Sequence, residues 1–111
     1  MIDQVIFAQP EDGEWTDLGG GNRRKVILHT PELMQVAFSF ELGGIGAPHN
    51  HPHVQASYIA EGAFEVTIGG VTETIGKGGS FIVPSGVVHS VRALEPGQLI
   101  DSFTPRRDDF L

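Results

Sequence analysis

The 111-residue chain contains no cysteine, so a disulfide framework, a thiolate zinc site and a cysteine nucleophile are all excluded. Any metal must rest on histidine, carboxylate or amide groups. Cations are also scarce: 7 Lys and Arg against 14 Asp and Glu leave a net charge of −7, which argues against nucleic-acid binding and against docking on an anionic membrane. Long apolar runs are missing, and none approaches membrane-spanning length. The start, Met1 to Pro10, lacks the basic-then-apolar pattern of a signal peptide, so a cytoplasmic protein is the default expectation. No segment sustains a 3.6-residue apolar period, and little helix is expected. The glycine run Gly19-Gly20-Gly21 lacks the strand–turn–helix setting of a phosphate loop and reads as a turn.

What the chain has instead is alternation. Met34, Val36, Phe38, Phe40 and Leu42 fall on one side of a period-two pattern, with Gln35, Ala37, Ser39 and Glu41 on the other. Phe64, Val66 and Ile68 alternate in the same way, and Gly69-Gly70 suits a tight hairpin into a strand from Val71 to Ile75. Further strands fit Arg24–His29, Val54–Ala60, Ser80–Val83, Val87–Leu94 and Gln98–Phe103, separated by turn signals such as Pro84-Ser85-Gly86 and Glu95-Pro96-Gly97. Short strands at near-regular spacing predict an all-β antiparallel sandwich or barrel. The acidic N-terminal stretch (Asp3, Glu11, Asp12, Glu14, Asp17) reads as a solvated face; residues 1–14 form an arm ahead of a single domain over 15–111.

Four of the five histidines fall in two places, His49, His51 and His53 in one run and His89 downstream. Residues two apart on a strand share a face, so His49 and His51 can aim their imidazoles at one point. Gln55 can follow on that side, and His89 can close the set. On the last strand Leu99, Asp101 and Phe103 share a face; if it points inward, Asp101 lies among apolar walls, with a raised pKa or a paired cation that suits a general acid/base. Tyr58 alternates away from Gln55 and reads as packing.

The spacing Gly43-x5-His49-x-His51-x3-Gln55-x6-Gly62 resembles the first cupin motif, with Gln where Glu is usual. Gly78-x5-Pro84-x-Gly86-x2-His89 resembles the second, with Ala93 in place of its final Asn. The resemblance implies a single-domain cupin β-barrel binding one divalent transition metal ion through His49, His51, Gln55 and His89, with His53 outside the motif. A neutral ligand set leaves the ion's charge uncompensated, which favours an anionic ligand.

A narrower resemblance rests on Trp15-x-Asp-Leu-Gly, Asn22-Arg-Arg-Lys-Val26, Gly46-Ala-Pro-His49 and the tail Asp101-Ser-Phe-Thr-Pro-Arg-Arg-Asp-Asp-Phe-Leu111. These stretches look like the KdgF-type cupins, which open unsaturated uronate rings during pectin and alginate breakdown. The resemblance implies a metal-dependent, isomerase- or lyase-like enzyme acting on a small anionic sugar. It implies Asp101, Phe103 and Arg107 as the catalytic residues. Substrate contact is expected from Gln55, His53 and Arg24, because one of the neighbours Arg23 and Arg24 should face inward. A homodimer is expected by analogy with the fold. The competing readings are an iron cupin dioxygenase, which leaves Asp101 and the Arg-rich tail unexplained, and a non-catalytic sugar-binding cupin.

Overall fold

The computed structural model describes residues 5–111; Asp3 of the acidic arm lies outside them. Ten strands follow in order: β1 (Thr16–Gly19), β2 (Asn22–Thr30), β3 (Leu33–Phe40), β4 (Ile45–His49), β5 (Val54–Glu61), β6 (Ala63–Ile68), β7 (Val71–Gly76), β8 (Ser80–Val83), β9 (His89–Ala93) and β10 (Gly97–Thr104). They form a six-stranded sheet, β1-β2-β3-β10-β5-β8, and a four-stranded sheet, β4-β9-β6-β7, with antiparallel pairing throughout. The result is a jelly-roll β fold. Among the described residues the helical structure is one 3-10 turn, Asp108–Phe110, and no helix is long and apolar enough to cross a membrane.

Alternation sets which side chains face inward. On β10 Leu99, Asp101 and Phe103 are buried while Ile100 and Ser102 are only partly covered; on β3 Met34, Val36 and Phe40 are buried. The main core joins the sheets through Phe40, Ile59, Phe64, Val66, Ala93 and Leu99, with Phe40 meeting Phe64 edge to face at 5.3 Å. Phe64 is fully buried, and truncating it to alanine costs about 3–5 kcal/mol. A second cluster, Met34, Val36 and Phe103, fills the opposite end under Phe110. The Gly69-Gly70 link takes the positive φ values, 56° and 83°, that a two-residue hairpin of this hand requires, and Ile68 pairs with Val71.

Four local expectations change. β3 ends at Phe40, which leaves Leu42 outside the strand and 69% exposed. Val87 and Val88 precede β9 instead of opening it. Two strands, β1 and β4, form where no alternation announces them, since their side chains are almost all exposed. Tyr58 lies on the outer face and is 49% exposed, because β5 turns only Gln55, Ser57 and Ile59 inward.

Candidate active site

The histidines converge, though not by sharing one strand. His49 ends β4 and sits directly opposite His89, the first residue of β9. A register irregularity between Gly46 and His49 takes up Ala47 and Pro48; such bulges re-aim side chains beside functional sites. His51 lies in the β4–β5 loop. Its carbonyl accepts from the backbone N–H of Gly86 at 2.9 Å, so the β8–β9 turn braces it. Gly86 has φ of 78°, a left-handed conformation that glycine adopts without strain, which accounts for its fixed place three residues before His89.

One ring nitrogen from each of His49, His51 and His89 lies within 4.8 Å of the others. The opposite nitrogen is tied in every case. His49 Nδ1 donates to the Ala47 carbonyl at 2.8 Å, His51 Nδ1 to the His53 carbonyl at 3.0 Å, and His89 Nδ1 to the Val87 carbonyl at 3.0 Å. These bonds fix the tautomer that leaves each Nε2 as a free lone pair. Burial holds the His51 and His89 pKa values below the ordinary histidine value, which keeps both rings neutral and ready to ligate. His89 Nε2 is buried with no protein partner. Three preoriented imidazoles, one of them lacking any other partner, fit a divalent transition metal.

Gln55, inward on β5 and 5% exposed, brings its Oε1 to 3.0 Å from His51 Nε2. Its Nε2 donates to Asp101 Oδ2 at 3.2 Å and to Ser57 Oγ at 3.0 Å. Asp101 is 4% exposed and its Oδ1 has no partner. Burial pushes its carboxyl up to about 7, opposed by the Ser57 hydroxyl and the Arg107 charge.

The tail completes the wall. Arg107 stacks over Phe103 at 5.2 Å and Phe110 at 4.3 Å, and a two-bond pairing with Asp109 (3.0 and 2.8 Å) holds it. Arg24 shares the Phe110 ring at 4.1 Å and, among the described residues, has no ion pair. Arg23 turns outward against Trp15, at 4.8 Å. The cavity, ≈ 330 Å³, is lined by polar residues (His49, His89, Gln55, Asp101, Arg107) and by apolar ones (Leu18, Phe38, Ile45, Val91). His53 stands beside it, its ring 6.5 Å from Phe103, and supplies the carbonyl that orients His51. Sequence reasoning missed Phe110 and Ser57; the tail aromatic could have been found by its spacing from Arg107, whereas a single serine in a strand carries no signal.

Residues 36–103 match the Cupin domain family. The chain therefore belongs to the cupin family. Within it, the relatives are specific. The chain is 41% identical over 103 residues to the pectin degradation protein KdgF of Dickeya dadantii (strain 3937), covering 91% of this chain and 94% of that protein. Among solved structures, KdgF from Halomonas sp. matches with a TM-score of 0.92 at 40% identity, over 97% of this chain and 100% of the other. An RmlC-like cupin from Shewanella frigidimarina NCIMB 400 matches with a TM-score of 0.93 at 40% identity, over 97% of each chain.

Proposed function

We propose that this protein is a pectin-degradation enzyme that opens the ring of 4,5-unsaturated monouronates and delivers the linear 5-keto-4-deoxyuronate; alginate-derived monouronates present the same reacting atoms. The observation that carries the reading is a buried carboxyl, Asp101, set one amide away from a three-histidine cluster in a cavity that Arg107 also lines. The relationship to KdgF supplies the substrate class.

The substrate is a cyclic enol ether with a hemiacetal hydroxyl at C1 and a carboxylate on C5. Asp101 takes the proton of the C1 hydroxyl. The bond from C1 to the ring oxygen breaks as C1 becomes a carbonyl, and the ring oxygen leaves as an enolate on C5. Asp101 then returns the proton to C4, so the product is an isomer of the substrate. A carboxyl with a pKa of about 7 suits both halves of that transfer near neutral pH. His49, His51, His89 and Gln55 would hold a divalent ion, which when bound would stabilise negative charge at oxygen. Arg107, stacked over Phe103 and Phe110, adds positive charge beside Asp101 and would meet the substrate carboxylate. Arg24, a half-buried cation over Phe110 with no ion pair among the described residues, would offer a second carboxylate contact, and His53 would meet the substrate beside Phe103. Phe103 shapes the floor.

The same reading takes the protein as a homodimer. The outer face of β3, β10, β5 and β8 presents Gln35, Ala56, Tyr58, Ile82, Ile100 and Ser102 side by side with no charged group, a surface over which two acidic chains can meet. Product analysis tests the reaction: with a 4,5-unsaturated galacturonate, proton NMR should show the ring hemiacetal replaced by the linear keto acid, and an unchanged spectrum overturns the reading.

A further inference from the structure

The Gln55 side chain has more partners than a metal ligand needs. Its amide nitrogen carries two hydrogens, and both are used, one on Ser57 Oγ and one on Asp101 Oδ2, while its oxygen faces His51. Ser57 lies two residues after Gln55 on the same inward face, directly across the ladder from Asp101, and is 2% exposed.

An amide is nearly symmetric in shape, so a half-turn about its last torsion costs nothing in volume. It would present an NH2 group to the histidine cluster and an oxygen to the Asp101 carboxylate. The oxygen would then face the Asp101 oxygens, and the NH2 group would stand where the three histidines leave room for a cation. As placed, the Ser57 oxygen accepts a hydrogen from the Gln55 nitrogen, and together with Asp101 it holds that nitrogen away from the histidines. We propose that Ser57 is a positioning residue whose hydroxyl holds the Gln55 carbonyl oxygen toward the three histidines, so that one side chain fixes both the metal centre and the proton carrier. The inference rests on the function proposed above and deepens it. It also accounts for glutamine where the family motif usually has glutamate: a carboxylate has no hydrogen for Ser57 or Asp101, and it would set two carboxylates side by side.

The test uses the full chain with Ser57→Ala and Ser57→Thr, and Gln55→Ala for comparison. Co(II) affinity is measured by chelator competition, the Co(II) visible spectrum is recorded, and kcat and KM are measured on 4,5-unsaturated galacturonate. Ser57→Ala should bind Co(II) about 10-fold or more weakly and shift the spectrum toward that of Gln55→Ala. Its kcat should fall about 10-fold while KM stays within about three-fold. Ser57→Thr, which keeps the hydroxyl, should return these quantities to within about three-fold of native. Native Co(II) affinity and spectrum in Ser57→Ala overturn the proposal, even if its thermal stability is lowered. Should the alanine variant not fold, Ser57→Cys retains the volume with a weak acceptor and carries the same comparison. If the native protein leaves the uronate unchanged while Ser57→Ala shifts the Co(II) spectrum, the reaction falls and the role of Ser57 stands.

Discussion

Gln55 Oε1 lies 3.0 Å from His51 Nε2, and in the tautomer fixed by the His53 carbonyl both atoms are acceptors. Two acceptors at that separation repel unless a cation lies between them. Ligands about 2.1 Å from one ion and at right angles to each other stand about 3.0 Å apart, so the pair has the spacing of adjacent ligands. The Gln55 nitrogen meanwhile reaches Asp101, which joins the histidine cluster to the buried carboxyl through a single side chain.

Metal content separates the histidines. Elemental analysis of purified variants should show His51→Ala without its ion and His53→Ala with it, because His53 contributes its backbone carbonyl, which the substitution leaves in place. Loss of the ion from His53→Ala would place that ring among the ligands.

Asp101 makes stability depend on pH. The folded carboxyl keeps its proton until about pH 7, whereas the unfolded one releases it near 3.8, so its contribution is full below about pH 4 and is lost as pH rises through 7. Asp101→Asn carries no such penalty. In metal-free protein the variant should gain on the native chain between pH 4 and 8, by at most about 4 kcal/mol. A gap in thermal midpoint that does not change with pH contradicts a buried, proton-holding Asp101.

The two cations stacked on Phe110 should separate kinetically. Arg24→Ala removes a half-buried cation stacked on Phe110, so KM for the uronate should rise roughly 10-fold with kcat little changed. Arg107→Ala removes charge beside Asp101 and the stack on Phe103, and should lower kcat by roughly 100-fold. Equal effects on kcat and KM in both variants would mean that the arginines do not divide the work in this way.

Much of this geometry was legible in the residues. Alternation put Leu99, Asp101 and Phe103 on one face, and the structure turns that face inward. The fixed offsets of His49, His51, Gln55 and His89 announced a common site. The reason offered for their meeting was incomplete, since His51 leaves the strand and reaches the cluster through a loop braced by Gly86, a contact across 35 residues of chain that no local period encodes. β1 and β4 escaped because a strand with exposed side chains, or one carrying Gly46 and Pro48, has no apolar alternation to read. Arg23 and Arg24 were equivalent in sequence; Trp15 and Phe110, on opposite sides of β2, sort them.

The central claim is that His49, His51, His89 and Gln55 together with Asp101 open an unsaturated uronate ring. Its most direct measurement follows the ultraviolet absorbance of the conjugated C4–C5 double bond of a 4,5-unsaturated galacturonate, incubated with metal-loaded native protein and, in parallel, with metal-loaded Asp101→Asn. The native protein should accelerate the loss of absorbance and Asp101→Asn should match buffer at equal metal content. Equal decay with native protein, variant and buffer would contradict the account.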